Sequence, residues 1–520
     1  KNRSQIDENR WAESITYFDG LGRAWKSEQV DSGGNIFTEK EFDADGRVSR
    51  VTNPFRANET RVWTTNVYDE ASRVKEVVLP DGAKVKTDYG VSVNAPIGVT
   101  KQITDQAGKK RKGITNVLGQ MIRVIEDPTG QNLNTDYVFD TLGNLRKTIQ
   151  DEQSRYFYHD SLGRLLRAKQ PEQNVNGALA LPIADPITGH NQWSAAYSYD
   201  DNGNILTTTD AKNKTVSATY DNLNRLKVRD YSDLSMPDVE FYYDGKYRDI
   251  TDTLQTASGS VKGKTTGIKS SVSRTNFTEF DELGRLESHQ QITDGQTYST
   301  GYIYNLSGVL IQETYPSGRV VKNTLGIDGE LLQVQSKKNA NYGFHTYAGS
   351  FSYDSAGAVT KMQLGNGRWE TASFNNRLQI TQIGLGTTDT TQNLLKLEYN
   401  YSTPSTTNNN GSMREQKITV PTVGQATGFT ATQTYLYDDL NRLQSAEEKV
   451  SGSTTWKQTF TIDRYGNRRF DAANTTTLGS CTEAVCNPTI STSNNRISSS
   501  GYSFDANGNV TQDAEGKQFI

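Results

Sequence analysis

Histidines, cysteines and clustered carboxylates are the residues of this chain that could do chemistry, and they are sparse. His159, His190, His289 and His345 stand far apart. None has another His, a Cys or an acid at metal-ligand spacing, so no zinc site is expected. Cys481 and Cys486 form one C-x4-C pair without a second, a weak metal signal. The pair fits a local disulfide in an exported protein, or two free thiols otherwise. Asp43-Ala44-Asp45-Gly46 and Asp200-Asp201-Asn202-Gly203 concentrate carboxylates as calcium loops do. The full EF-hand spacing with its distal Glu is missing, which leaves hairpin turns. Asp127-Pro128-Thr129-Gly130 also reads as a turn, with Pro presetting φ and Gly accepting φ > 0. Asp185-Pro186-Ile187-Thr188-Gly189 has one residue more. No catalytic, cofactor-binding or metal-binding residue is assigned, and no enzyme is expected.

The carboxylates belong to something more regular. In Tyr156-Phe157-Tyr158-His159-Asp160-Ser161-Leu162-Gly163-Arg164-Leu165 a run of aromatics precedes an Asp. Gly follows three residues later, then Arg and an aliphatic residue. Tyr197-Ser198-Tyr199-Asp200 and Tyr435-Leu436-Tyr437-Asp438 place two aromatics two residues apart, on one face of a strand. The Asp side chain can bond the backbone two residues on and start a turn. Gly143, Gly163, Gly203, Gly284, Gly357 and Gly508, or Asn224 and Asn441, stand where a short hairpin loop needs φ > 0. Arg164, Arg225, Arg285 and Arg442, or an Asn, then open the return strand. Such an Arg is expected to tether neighbouring hairpins.

Eleven copies have an aromatic or His before the Asp and Gly, Asn or Ser three residues after it. Their aspartates are Asp19, Asp43, Asp69, Asp140, Asp160, Asp200, Asp221, Asp281, Asp354, Asp438 and Asp505. Degenerate copies stand near Asn116, Asn305, Gly326, Asn375 and Asp463. Asp140 to Asp160 is 20 residues, enough for two strands and two turns. Recurrence at that period marks an array in which each unit packs on its neighbours. A lone hairpin is at best marginal in water, so the repeats must share one sheet.

The chain resembles the YD-repeat, or Rhs-repeat, family, named for the pair seen at Tyr68-Asp69, Tyr199-Asp200, Tyr220-Asp221, Tyr353-Asp354 and Tyr437-Asp438. The resemblance covers essentially the whole chain. It implies a long antiparallel β-sheet strip that spirals into a hollow shell, or part of one. In the bacterial toxins of that family the shell encloses a variable C-terminal toxin domain. It also implies a secreted or cell-surface bacterial protein whose partner is its own C-terminal toxin or cargo. Rhs proteins have an Asp-Pro-x-Gly self-cleavage motif in their core region. Here Asp127-Pro128-Thr129-Gly130 lies inside the array without that surrounding sequence. Sugar binding through rows of Tyr, Trp and Arg has been proposed for the family. An adhesion or glycan-binding repeat protein is therefore the alternative.

Composition agrees with a thin sheet. Hydrophobic residues make up 33% of the chain, yet it holds 26 Tyr, 17 Phe and 6 Trp. No long aliphatic run appears, which argues against a thick, double-faced parallel sheet. The net charge of −4 offers no basic footprint for nucleic acid. No stretch of 18 apolar residues is present, so no membrane-spanning helix is expected. Residues 1–520 are read as one all-β array without an internal linker. Residues 383–392, 403–411 and 488–500 are expected to be long surface connections. Lys1 is not an initiator Met, and Gly516–Ile520 reads as the lead-in strand of another repeat. A fragment of a longer protein is expected.

Overall fold

The computed structural model describes residues 1–6, 8, 10–403 and 406–519. The turns are the place to begin, because they set the register of everything else. At Asp160 the backbone N–H bonds Arg164 O at 3.0 Å, and Gly163 N–H bonds Asp160 O at 3.1 Å. The carboxylate Oδ1 accepts the N–H groups of Leu162 and Arg164, both at 2.9 Å. Gly163 sits at φ +77°. The strand pair Gln153–His159 and Leu165–Lys169 shifts register between Tyr158 and His159, a bulge that the left-handed Gly permits. Where Gly is replaced, Asn224 and Asn441 take φ of 59° and 61°. Asn is the non-Gly residue that tolerates this region most readily.

These turns join 38 strands into one antiparallel sheet. Most described pairs are between strands consecutive in the chain. One exception is a small side hairpin, Lys246–Arg248 with Leu254–Thr256, which leaves Val239–Tyr243 to pair with Thr265–Lys269. A second lies where Val48–Thr52 pairs with Trp63–Tyr68 while Phe55–Arg56 pairs back on Ile36–Phe42. Helix is confined to Glu483–Cys486 and two short 3-10 turns among the described residues. Of the expected surface connections, residues 383–386 instead lie in the strand Ile380–Gly386, which pairs on both sides. Residues 404 and 405 lie outside the described residues.

The core is shallow. Every residue of Leu133–Phe139 is half-buried, as is every residue of Trp63–Tyr68. Neither face of the strip is sealed as in a sandwich. Among the described residues, fully buried ones are few, and one compact apolar cluster forms around Leu179, Trp193 and Ala196.

The chain divides into two compact units. The first holds Lys1–Tyr89, Gln102–Lys110 and Thr300–Lys457; the second holds Gly90–Lys101, Arg111–Ser299 and Gln458–Ile520. Each contains its own seam, where turns on one rim of the strip meet turns on the other rim about 300 residues later. In the first unit Ser32 N–H bonds Asp328 Oδ2 at 2.6 Å and Ser355 Oγ–H bonds Pro54 O at 2.9 Å. Asn441 Nδ2 bonds Asp105 Oδ2 at 2.8 Å. In the second, Gln153 Nε2 bonds Thr492 O at 2.8 Å and Asn174 N–H bonds Ala506 O at 2.8 Å. Asn507 Nδ2 bonds Asp210 Oδ2 at 2.6 Å.

Gly203 tests the turn geometry cleanly, since it has φ +86° and open space where a Cβ would stand. Gly203→Ala should lower stability by about 1–2 kcal/mol through backbone strain alone. Gly203→Asn should cost clearly less. Denaturant unfolding of the two variants checks the order.

Candidate functional site

A three-part link repeats along the rim that carries the Tyr-Asp turns. First, Arg four residues after the Asp returns Nε to Oδ2 of that Asp: Arg164 to Asp160 at 2.7 Å, Arg225 to Asp221 at 2.7 Å, Arg73 to Asp69 at 2.8 Å and Arg442 to Asp438 at 2.7 Å. Arg285 makes the same bond to Asp281. Asn144 and Asn204 do so with Nδ2 at 3.0 and 2.8 Å. Second, the guanidinium lies over the ring of the next repeat: Arg47 over Tyr68 at 4.5 Å, Arg164 over Tyr199 at 5.1 Å and Arg225 over Tyr243 at 4.4 Å. Third, that Tyr hydroxyl donates back to the carbonyl just after the same Arg. Tyr68 reaches Val48 O at 2.8 Å, Tyr199 reaches Leu165 O at 2.9 Å and Tyr243 reaches Leu226 O at 2.8 Å.

The hydroxyl bond persists where the Arg is absent. Tyr220 reaches Ile205 O, Tyr353 reaches Leu331 O and Tyr437 reaches Met413 O, at 2.9, 2.7 and 2.9 Å. At Asp354 the carboxylate keeps only its backbone partners, Ala356 and Ala358. Asp505 pairs with Asn509 at 3.1 Å, ahead of Gly508 at φ +89°. The backbone N–H of Arg164, followed by its guanidinium, holds the Asp160 carboxyl below its usual range against the opposing effect of burial. Asp69, Asp221 and Asp19 are lowered with the same first cause. The Arg serves its own turn and also reaches the neighbouring hairpin, by ring stacking and by hydrogen bonds: Arg164 Nη1 to Asp200 O at 3.1 Å and Arg47 Nη1 to Ser72 Oγ at 2.9 Å. Arg225 adds a bond from Nη2 to Asp244 Oδ2 at 2.9 Å.

The insertion after Lys169 folds onto this ladder in the second unit. Its 3-10 turn, Gly177–Leu179, is capped by Asn176, whose Oδ1 accepts from Ala178 N–H at 3.0 Å. Trp193 is completely buried beside Tyr158, and His190 stacks on Tyr156 with ring centres 3.9 Å apart. Asp185 is 1% exposed and pairs with Arg146 at 2.6 Å; Arg146 also meets Asp140 at 3.4 Å. Asp185-Pro186-Ile187-Thr188-Gly189 is a turn, with Gly189 N–H bonded to Asp185 O at 2.7 Å. Asp127-Pro128-Thr129-Gly130 is one as well, with Gly130 N–H on Asp127 O at 3.1 Å. Burial lowers the pKa of both His159 and His190, aided at His159 by Arg146 and at His190 by Lys169 and Lys147.

In the first unit a cavity of about 650 Å³ lies along the seam, between residues 28–36 and 351–357. Its charged groups are engaged structurally. Arg56 pairs with Asp31 at 2.7 Å, and Glu28 accepts from Tyr17 and Asn35. Among the described residues, no group of three or more His, Cys, Asp or Glu could hold a metal ion. Cys481 and Cys486 are joined as a disulfide, with Cα atoms 6.0 Å apart. His289 and His345 lie on separate strands, Leu286–Thr293 and His345–Tyr353.

Several turns escape an aromatic-before-Asp rule. Asp105, Asp210, Asp249 and Asp513 close the same five-residue loop, with N–H bonded to the carbonyl four residues on at 2.9–3.0 Å. Asp105 and Asp210 stand on the opposite rim, and Asp249 closes the side hairpin of Lys246–Arg248 with Leu254–Thr256. Their signal, Asp-x-x-Gly/Asn/Asp, was present in Asp105–Gly108, Asp210–Asn213 and Asp249–Asp252. Gly516 completes the Asp513 turn, so Gly516–Phe519 is the return side of a hairpin.

The fold is therefore a turn-locked hairpin strip, the architecture of the Tc toxin shell structures. "TcdB2-TccC3 without hypervariable C-terminal region" superposes over 98% of this chain with TM-score 0.67 at 14% identity. The "Photorhabdus luminescens Tc holotoxin pore" carrying a TccC3 mutation matches over 96%, at TM-score 0.66 and 14% identity. TcdB2-TccC3-Cdc42 matches over 98%, with TM-score 0.64 and 14% identity. This chain spans 29%, 28% and 30% of those chains, less than a third of each. A family model described as "Domain of unknown function (DUF6443)" matches residues 1–95. No curated protein matches the sequence.

Two outcomes follow from the link and the insertion. Tyr199→Phe should cost about 1 kcal/mol, the usual net value of a hydrogen bond. Arg164→Lys should destabilise nearly as much as Arg164→Ala, because an ammonium reproduces neither the Nε bond nor planar stacking. Chemical denaturation of the three variants reads both. A second expectation concerns pH. His190 and His159 have lowered folded pKa values, so the unfolded chain binds more protons. Their stabilising contribution is full above the unfolded value near 6.5 and is lost as pH falls below it. The melting temperature should drop between about pH 6.5 and 5, and His190→Gln should shrink that drop.

Proposed function

We propose that this chain is a non-enzymatic wall segment of a YD-repeat (Rhs-type) shell that encloses a polypeptide. The cargo is the protein's own C-terminal toxin domain, and the assembly is a secreted bacterial toxin component. The likeness over 98% of the chain to TcdB2-TccC3 carries this reading; one such structure is described as lacking a hypervariable C-terminal region. The wall chemistry supports it. The Asp, Arg and Tyr side chains of the turns are engaged with one another and with backbone groups. They hold a strip together and leave no reactive constellation in the ladder.

The test is the intact mass and C-terminal peptide map of the natural protein, followed by limited proteolysis. A chain that continues into an unrelated domain, resistant to protease while the wall is intact, is the expected outcome. A natural product that encloses no polypeptide would overturn encapsulation. Binding on a glycan array that is lost on substitution of exposed aromatics such as Trp11 and Tyr347 would then favour adhesion.

A further inference from the structure

The insertion after Lys169 lies across the sheet of the second unit as a strap. Its root is at the rim opposite the Tyr-Asp turns. There Ser194 N–H bonds Ala168 O at 2.9 Å and Asn176 Nδ2 bonds Asp210 O at 3.0 Å. Its tip reaches the Tyr-Asp rim, where Asp185 meets Arg146, itself 3.4 Å from Asp140. Within the strap Asn176 N–H bonds Trp193 O at 2.8 Å, Leu181 N–H bonds Asn191 O at 3.1 Å and Asp185 N–H bonds His190 O at 2.9 Å. It can move as one body without breaking this ladder. Three side-chain contacts hold it down: His190 on Tyr156, Trp193 on Tyr158, and the Asp185–Arg146 pair.

The ground under the strap is cationic. Lys147, Tyr156 and Lys169 are register partners on three consecutive strands, so they share one face. Lys147 Nζ stands 5.0 Å from the centre of the Tyr156 ring on which His190 stacks. Arg167, register partner of Tyr158, bonds a carbonyl, Leu166 O, at 2.8 Å. The acids nearby are engaged. Asp185 accepts from Arg146 at 2.6 Å and from the Thr188 hydroxyl at 2.5 Å. Glu172 takes Arg155 at 2.7 Å. Asp140 and Asp160, the acids that act on His159, hold Asn144 and Arg164.

His190 Nε2 and His159 Nδ1 are buried without a hydrogen-bond partner. A proton added at either atom would meet no acceptor. It would also place a charge beside Lys147 and Lys169, or beside the Arg146 that holds the tip. An unpaired charge in a dry site is costly, and lifting the strap returns His190 to water. The sheet beneath lacks this liability. Its turn carboxylates, such as Asp160, are held below their usual range and stay ionised in mild acid.

We propose that residues 170–194 form an acid-released strap, closed at neutral pH and lifted from the Tyr156–Tyr158 face below about pH 6, while the sheet beneath stays paired. Both rings resist protonation in the closed state, so the lifted state binds more protons and acidification draws the strap open. The device does not depend on what the wall encloses.

Hydrogen exchange of the 520-residue chain at about pH 7.5 and 5, either side of the ordinary histidine value, tests this. Rates are corrected for intrinsic exchange at each pH. Protection of the Leu181 and Asp185 amides should fall at least about tenfold in acid, the factor carried by one unit of pKa difference. Amides of Gln153–His159 should keep theirs. His190→Gln with His159→Gln should abolish the fall. Lys147→Gln keeps both rings but removes a cation facing His190, so it should reduce the fall; it carries the test if the double variant does not fold. Protection that is unchanged by pH, or lost from strap and sheet together, would overturn the proposal. So would a fall that either variant, once folded, leaves at its full size.

Discussion

Each Tyr hydroxyl that reaches back to the carbonyl beside the previous turn does for this strip what a hydrophobic core does for a globule. A sheet of half-buried residues has little apolar area to hold it, and a lone hairpin would not persist. The hydroxyl fixes the neighbouring hairpin at a definite distance, and the guanidinium between them fills the space. Its Nε is held by the turn Asp, so the stacking geometry is set before the neighbour arrives. Asp, Arg and Tyr act as one unit spread over two repeats. Removing one loosens the other two, so additivity should fail within the link and hold between distant links.

The links run along the strip, while the seams run across it. Seam contacts are polar and varied: Ser32 on Asp328, Ser355 on Pro54, Asn507 on Asp210. They join residues about 300 positions apart and close rims that would otherwise offer unpaired turns to solvent. Both kinds of contact leave the strip thin. That suits a wall, which must separate two volumes with little material, and it explains the scarcity of fully buried side chains. The insertion around Trp193 is the exception, a small plug with a true apolar centre, pinned by the buried Arg146–Asp185 pair.

Much of this was legible in the residues. Asp, a left-handed Gly or Asn three positions on, and aromatics spaced by two identify the hairpins, since each requirement is local. The five-residue turns at Asp105 and Asp210 lacked the preceding aromatic, because the ring is needed only on the rim where the Tyr hydroxyl works. The Arg was expected as a tether between hairpins, and Arg164, Arg47 and Arg225 do bond the next hairpin; what the spacing did not show is that the same Arg also binds its own turn, because Nε at position four falls on Oδ2 of the Asp. The seams left no local signal. Asn507 reads as an ordinary turn residue until the chain brings Asp210 beside it. Trp193 was equally silent, since nothing in its neighbourhood marks which ladder rings it covers. The sequence left Cys481 and Cys486 as a disulfide or two free thiols, and the structure joins them.

Native-state hydrogen exchange resolved to single amides tests the central claim most directly: turns, more than a core, hold the strip. The amides of Asp160, Asp200 and Asp221 close the five-residue loops, and they should exchange as slowly as amides in mid-strand Gln153–His159 and Thr215–Tyr220. If those turn amides exchange quickly while the strands stay protected, the turns are followers and the strip is held by its faces instead.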